Sequence, residues 1–250
     1  MALIELRDYA HRPTERGKGL EKFSFTISPG DAYSLHADRI DDAHLFMRAL
    51  ATLEPPEEGS YLFNGEELNF ARRRRLLSIR RRIGYLGTDA ALIGNRTLRT
   101  NLLLGRYYHE NSLNLALGDD VLSLCRLLGI EEKLDLRPAQ VASEDARAAI
   151  IVREMTKGAE VFLVEQAFIA LARAAAEMYI AMIRKMIDSG IPCVYYAGLT
   201  QYDRLFKNPD PEASGDFVED LNPDSLTVLP TCWVEPGLAE AAPLDKVQFE

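Results

Sequence analysis

Seven short apolar segments constrain the fold more than any other feature: LIEL, EKFSFTI, DAYSLH, SYLF, RIGYL, EVFLVEQ and PCVYY. Each has the length and the β-branched or aromatic content of a strand. Between the later ones lie longer stretches with helical spacing of apolar residues, at about Asp42–Ala51, Asp119–Leu128, Glu144–Thr156 and Leu171–Asp188. Strands that alternate with helices predict an α/β fold, a mixed sheet covered by helices. With 250 residues and 47% hydrophobic content, the chain can bury the core of one such domain with a small appended lobe, which excludes disorder as its main state. It contains no internal repeat and no low-complexity block.

The formal charge of -9 is unevenly placed. Residues 207–250 hold ten acids and two lysines, a net of -8 that leaves the preceding 206 residues at -1. Half of the 12 prolines and the single tryptophan, Trp233, also fall in this last stretch. It reads as an acidic, Pro-rich C-terminal extension, partly extended and folded back through DSLTVLPTCWV, with a disordered tail as the alternative. A near-neutral body with an acidic tail argues against nucleic acid as a partner, because counterion release needs a net positive footprint. Cys125, Cys193 and Cys232 are odd in number and far apart, which suits reduced cytosolic thiols rather than a disulfide framework or a metal site. His11, His36, His44 and His109 lack ligand spacing and read as surface or core histidines. No apolar run approaches the roughly 18 to 20 residues that span a bilayer, and the first residues lack a signal-peptide core, so a membrane role is expected only through a partner.

Taken in order, further segments carry a family resemblance. LEKFSFTISPGDAYSLH ends in a strand that leads into a short loop and a helix; LEPPEEGSYLFNGEEL is turn-rich; RRRIGYLGTDAALIGNRTLRTNLLLG follows. RPAQVASEDARAAIIVREMTKGAEVFLVEQAFIAL then supplies a helix and a strand, and GIPCVYYAGLTQYDRL the next strand. By order and spacing the chain from about residue 2 to 206 resembles the ATP-binding subunits of ABC transporters. The resemblance implies one ABC ATPase-like domain over residues 1–206, with a helical subdomain at about 90–157 and the extension at 207–250. Within that family, NRTLRTNLLLGRYYHEN and LRPAQ look most like the ATPases of Mce/Mla-type lipid transport systems.

The resemblance also shows which chemistry is missing. A phosphate loop needs glycines whose backbone N–H groups turn inward, a lysine for the β and γ phosphates, and a hydroxyl for magnesium. Here the glycine positions are Ala37, Ile40 and Asp42, the lysine position is Ala43, and the hydroxyl positions are His44 and Leu45. Asp38, Asp41 and Asp42 would stand beside a triphosphate, where like charges at about 4 Å cost ~1 to 4 kcal/mol each. The signature LSGGQ has become Val141, Ala142, Ser143, Glu144 and Asp145. The Walker B aspartate aligns with Glu165, the catalytic glutamate with Gln166, the Q-loop glutamine with Thr88, the switch histidine with Gly198 and the adenine-stacking aromatic with Pro13. Gln166 is no general base, since a neutral amide cannot take a proton near pH 7. A carboxylate at a helix N-terminus can take over the role of a lost phosphate, so Asp41 or Asp42 is expected to cap the first helix, with Glu144 or Asp145 repeating the device at the signature helix.

These readings imply a pseudo-ATPase subunit without catalytic residues, cofactor or metal. Its partner would be an ABC permease, a related ATPase subunit or a second copy of itself, and its place cytoplasmic, peripheral to the inner membrane. The permease groove would be lined by Thr88 to Ile93 and Thr97 to Leu103, with Thr88, Asp89, Leu92, Ile93, Thr97 and Asn101 as candidate contacts. Two other classes stay open: a remodelled nucleotide-binding ATPase using Glu165, Ser143 and Arg39, and a soluble regulatory module acting through its acidic tail. The arginine run from Arg72 to Arg82 reads as a solvated helix face, with nucleic acid and anionic lipid as the sharper alternatives.

Overall fold

The computed structural model describes residues 1–13, 17–37, 39–110, 112, 114–166, 173–196, 219–222 and 226–230. In chain order these form β1 (Ile4–His11), β2 (Leu20–Ile27), β3 (Ala32–Ala37), α1 (Ile40–Leu50), β4 (Glu58–Phe63), β5 (Glu66–Glu67), α2 (Arg73–Arg81) and β6 (Ile83–Leu86). There follow α3 (Leu98–Glu110), α4 (Asp119–Leu127), α5 (Ser143–Met155), β7 (Val161–Glu165), α6 (Arg173–Asp188), β8 (Cys193–Tyr196), β9 (Glu219–Asn222) and β10 (Leu226–Pro230). All seven predicted strand segments are strands. The four predicted helices are α1, α4, α5 and α6, while α2 and α3 were not separated from their loops by periodicity.

The strands divide into two sheets rather than one. An antiparallel sheet runs β2-β1-β4-β5, and a mixed sheet runs β6-β7-β8-β3-β10-β9. The burial of the strands explains the division. In β2, Leu20, Phe23, Phe25 and Ile27 are buried between exposed neighbours, the pattern of a sheet with one wet face. Every residue of β7 and β8 is buried, as expected of parallel strands covered on both sides. The two faces of β7 serve two cores: Phe162 and Val164 join the helices α3–α6, whereas Val161 and Leu163 face α1 and the antiparallel sheet. Tyr195 and Tyr196 likewise split between these cores, so both tyrosines pack as core residues.

α1 bridges the sheets. Phe46 meets Phe23 and Phe25 at ring separations of 5.5 and 5.6 Å, and Tyr61 donates its hydroxyl to Leu50 O at 2.9 Å at the helix end. Each such aromatic pair contributes about 0.5–1.5 kcal/mol beyond area burial. On the far side of the mixed sheet, α3 and α4 pack against α5 within the expected helical subdomain.

The C-terminal extension enters the sheet. β10 pairs antiparallel with β3, from Leu226 opposite Ala37 to Pro230 opposite Tyr33, and β9 pairs with β10. The expected fold-back through DSLTVLPTCWV is therefore realised at Leu226–Pro230. Among the described residues no helix is long and apolar enough to cross a membrane. Cys125 and Cys193 are buried thiols, each pushed up to about 12 by desolvation, and so chemically quiet; Cys232 lies outside the described residues.

Candidate functional site

The site forms where β3, β6, β7 and β8 end beside the start of α1. β3 stops at Ala37 and α1 begins at Ile40, so only two residues separate strand from helix. Ile40, Asp41 and Asp42, at phosphate-loop positions, are thereby wound into the first turn of α1. Ala43 N–H donates to Arg39 O at 3.3 Å, closing that turn. Ile40 is 60% exposed, whereas Asp42 and Ala43 are buried. Asp38 lies outside the described residues, as does Gly198.

The expected carboxylate cap is absent. Arg39 is the N-cap, and no side chain caps the helix. Asp42 turns away from the helix end and accepts Gly19 N–H through Oδ1 at 3.1 Å, while its buried Oδ2 has no partner among the described residues. Asp42 thereby serves the β1–β2 connection instead of its own helix. Asp41 is exposed and contributes only its charge near the positive end of the helix.

One turn into α1, His44 meets the Walker B position. Glu165 is wholly buried. His44 Nδ1–H donates to Glu165 Oε1 at 2.7 Å, the nitrogen being the donor because a carboxylate can only accept. The Tyr85 hydroxyl donates to Glu165 Oε2 at 2.6 Å. That bond to the carboxylate holds the imidazole pKa above its ordinary value, against the opposing effect of burial. Burial first, and then the same carboxylate, push the Tyr85 hydroxyl well upward. Arg147 of α5 donates to Gly87 O at 3.0 Å; desolvation lowers its pKa, and the charge of Glu165 partly restores it.

A second charged chain lies beside this cluster. Arg48, four residues beyond His44, binds Glu54 at 2.9 Å and Asp89 at 2.5 Å. The residue after the Q-loop position is thus tied to α1: Asp89 is engaged, while Thr88 itself is exposed. Arg153 Nη1 donates to Ala91 O at 3.0 Å, so α5 grips the same loop from its other side. Gln166 adopts φ 45°, and its N–H donates to Tyr196 O at 2.7 Å. Pro13 is exposed at the end of β1.

At the signature position the filling carboxylate is Asp145 rather than Glu144. Asp145 Oδ2 accepts Ala142 N–H at 3.2 Å, and Oδ1 binds Lys133 Nζ at 2.6 Å. Val141 is half-buried, and Ala142, Ser143 and Glu144 are exposed. This is half of a capping box, with the third helical residue reaching back to the N-cap amide.

The proposed groove residues divide by role. Asn101 is wholly buried, accepting Ile93 N–H at 2.7 Å and donating to Thr97 O at 2.9 Å and Ile93 O at 3.2 Å. It holds the loop and presents no surface. Thr97 Oγ1 accepts Thr100 N–H at 3.2 Å and so starts α3. Leu92 packs on the helical core, and Ile93 stands 47% exposed. A cavity of about 640 Å³ opens between α2, α3 and α4, with Leu77, Leu102, Leu103 and Val121 among its walls.

Sequence reasoning missed Tyr85, Arg48, Lys133 and Arg147. Only Arg48 left a signal, its helical i, i+4 spacing from His44. The fold gives Glu165 two donors, His44 and Tyr85. Among the described residues no three His, Cys, Asp or Glu side chains are placed to hold a metal ion.

Against solved proteins, the chain superposes on the dimeric MJ0796, a bacterial ABC transporter cassette, with a TM-score of 0.66 over 78% of this chain and 88% of that one, at 18% identity. The fold is that of an ATP-binding cassette. In sequence, the cassette portion is 26% identical over 165 residues to the methionine import ATP-binding protein MetN of Sodalis glossinidius, covering 66% of this chain and 48% of that protein. The last part of the chain has different kin. Residues 194–250 match the model of the anti-codon binding domain of class I tRNA synthetases (E and Q). A glutamine--tRNA ligase of Ectopseudomonas mendocina is 54% identical over 52 residues, 20% of this chain and 9% of the ligase. The chain thus spans about half the length of its cassette relative and about a tenth of its ligase relative. The boundary expected near residue 206 lies inside the ligase-like match, which begins within β8 of the cassette sheet.

Proposed function

We propose that this chain is a catalytically inert ABC ATPase-like subunit that scaffolds or regulates a membrane transport complex, held at the inner membrane by a permease or a related ATPase. The observation that carries the reading is the direct bond between His44 and Glu165. In a working cassette a hydroxyl at the first position and a carboxylate at the second would share a magnesium ion. Here an imidazole N–H donates to the acid, and the second oxygen is taken by Tyr85. The residues do not fit a magnesium-nucleotide: the strand-to-helix connection is too short to cradle phosphates, no lysine follows it, and Asp41 and Asp42 lie in the first helical turn. Gln166 supplies no base.

A geometric consequence narrows the role. In a cassette dimer each nucleotide lies between the phosphate loop of one subunit and the signature of the other, and this chain lacks both halves. Paired with an active ATPase it completes neither site, which favours a static structural subunit, an inhibitor or an accessory. The permease contact would use exposed Ile93, on the loop fixed by Asn101. The cargo class we favour is lipid, from the NRTLRTNLLLG segment, with amino acids the competitor that the methionine-import relative suggests. Capture on membranes carrying the cognate permease, lost in Ile93→Asp, tests the reading; undiminished capture of that variant, or ATP turnover by the purified chain, overturns it.

The ligase-like match favours a second reading for residues 194–250, contact with tRNA. Against it, β9 and β10 are spent on completing the cassette sheet. Gel-shift titration with tRNA separates the two, and binding at micromolar concentration would favour the second.

A further inference from the structure

The seven arginines of Arg72–Arg82 are used unequally. Arg75 pairs with Glu66. Arg80 donates to Thr52 O at 2.7 Å. Arg82 binds Glu160 at 2.5 Å and stacks over Phe63 at 4.5 Å. These three hold α2 to the body. Arg72, Arg73 and Arg74 are exposed and make no ion pair among the described residues. Arg81 is also exposed, near a Glu110 that Arg106 already engages at 2.7 Å.

The free arginines stand where they harm the helix. Arg72 is the N-cap of α2, Arg73 and Arg74 open its first turn, and no acid balances them there. Cations at a helix N-terminus oppose the macrodipole and repel one another, so this run weakens the fold locally without a contact that offsets it. Leu76 and Ile79 face the core, which leaves Arg74, Leu77, Ser78 and Arg81 on the outward side at i, i+3, i+4 and i+7. Leu77, 40% exposed, is an apolar centre between guanidinium groups.

We infer that the first turn of α2, with its outward face, is a contact for an anionic phospholipid surface. Guanidinium groups meet the lipid phosphates and acidic headgroups, and Leu77 enters the headgroup boundary, as on an interfacial amphipathic helix. The chain as a whole carries a net charge of -9 and is repelled by such a surface, so its basic α2 approaches it in one orientation. RNA is the other polyanion this face can meet. It is disfavoured because α2 has no aromatic residue for bases to stack on: Phe70, which precedes it, packs edge-on against Tyr61 at 6.3 Å, and Phe63 beneath Arg82 is buried. The contact needs no permease and adds a direct approach to the membrane beside the partner-mediated one.

The test is co-sedimentation of the purified full chain with protein-free vesicles of phosphatidylcholine alone or of phosphatidylcholine with phosphatidylserine, the anionic lipid of the cytoplasmic leaflet. Binding is expected only to the anionic vesicles, with release at roughly 0.5 M salt. Arg72→Gln/Arg73→Gln/Arg74→Gln should weaken it on the order of a hundredfold, with an unchanged or higher Tm that excludes misfolding. Equal binding by the variant, no binding to anionic vesicles, or tRNA binding that the same triple variant abolishes and anionic vesicles fail to compete would each overturn the inference. Because no permease is present, failure here is distinct from failure of the scaffold reading, which the Ile93→Asp capture reports.

Discussion

Replacing His44 by alanine tests the reading of the site as closed from within. Glu165 is wholly buried with two donors, His44 at 2.7 Å and Tyr85 at 2.6 Å. His44→Ala leaves Oε1 without its charged donor. Breaking a fully buried pair costs about 3–5 kcal/mol, but the His44 side chain is 31% exposed, so water can enter the vacated space. A charged hydrogen bond of ~1.5–3 kcal/mol is the fitting scale, with about 2 kcal/mol expected. For a domain of this size that lowers Tm by about 4–8 °C. The difference must also depend on pH. The folded imidazole pKa is raised, so its contribution is fully present below the unfolded value of about 6.5 and is lost as pH rises through the higher folded value. Melts of wild type and His44→Ala should therefore differ most near pH 6 and converge toward pH 9. His44→Ala/Glu165→Gln should lose less than the sum of its single variants, since the amide leaves no charge to strand. A variant that melts within about 1 °C of wild type at pH 6, or a gap independent of pH, would refute the reasoning.

Two further substitutions separate structural roles. Asp145→Ala should cost about 1–2 kcal/mol, losing the N-cap bond and the Lys133 pair, while exposed Glu144→Ala should be neutral within about 0.5 kcal/mol; thermal melts of both check this. Asn101→Ala should cost about 2–4 kcal/mol and open the Ile93–Thr97 loop to protease, and Asn101→Asp should fail to rescue it because the carbonyls of Ile93 and Thr97 still lack a donor.

The strands were legible because buried runs such as VFLVE leave few alternatives. α2 was harder: seven arginines around Leu76 and Ile79 mask the apolar stripe. The residues at the aligned motif positions stood in plain view, yet their partners in the fold did not. His44 and Glu165 lie 121 residues apart and meet only because α1 follows β3 beside β7. Asp42 and Asp145 show the limit of local rules: both sit in first helical turns, and tertiary neighbours decided that one binds Gly19 and the other caps. The ligase-like segment was read through its acids and prolines, and composition conceals the residue order that carries that likeness.

The central claim is that the chain takes no magnesium-nucleotide. Calorimetric titration of the purified protein with magnesium-ATP, with thermal melts in parallel, tests it most directly. A ligand at 100 times its dissociation constant adds about 2.7 kcal/mol, a rise of several degrees. The account predicts no saturable heat and no shift in Tm. Saturable binding with a raised Tm would contradict it and move the remodelled nucleotide-binding ATPase to first place.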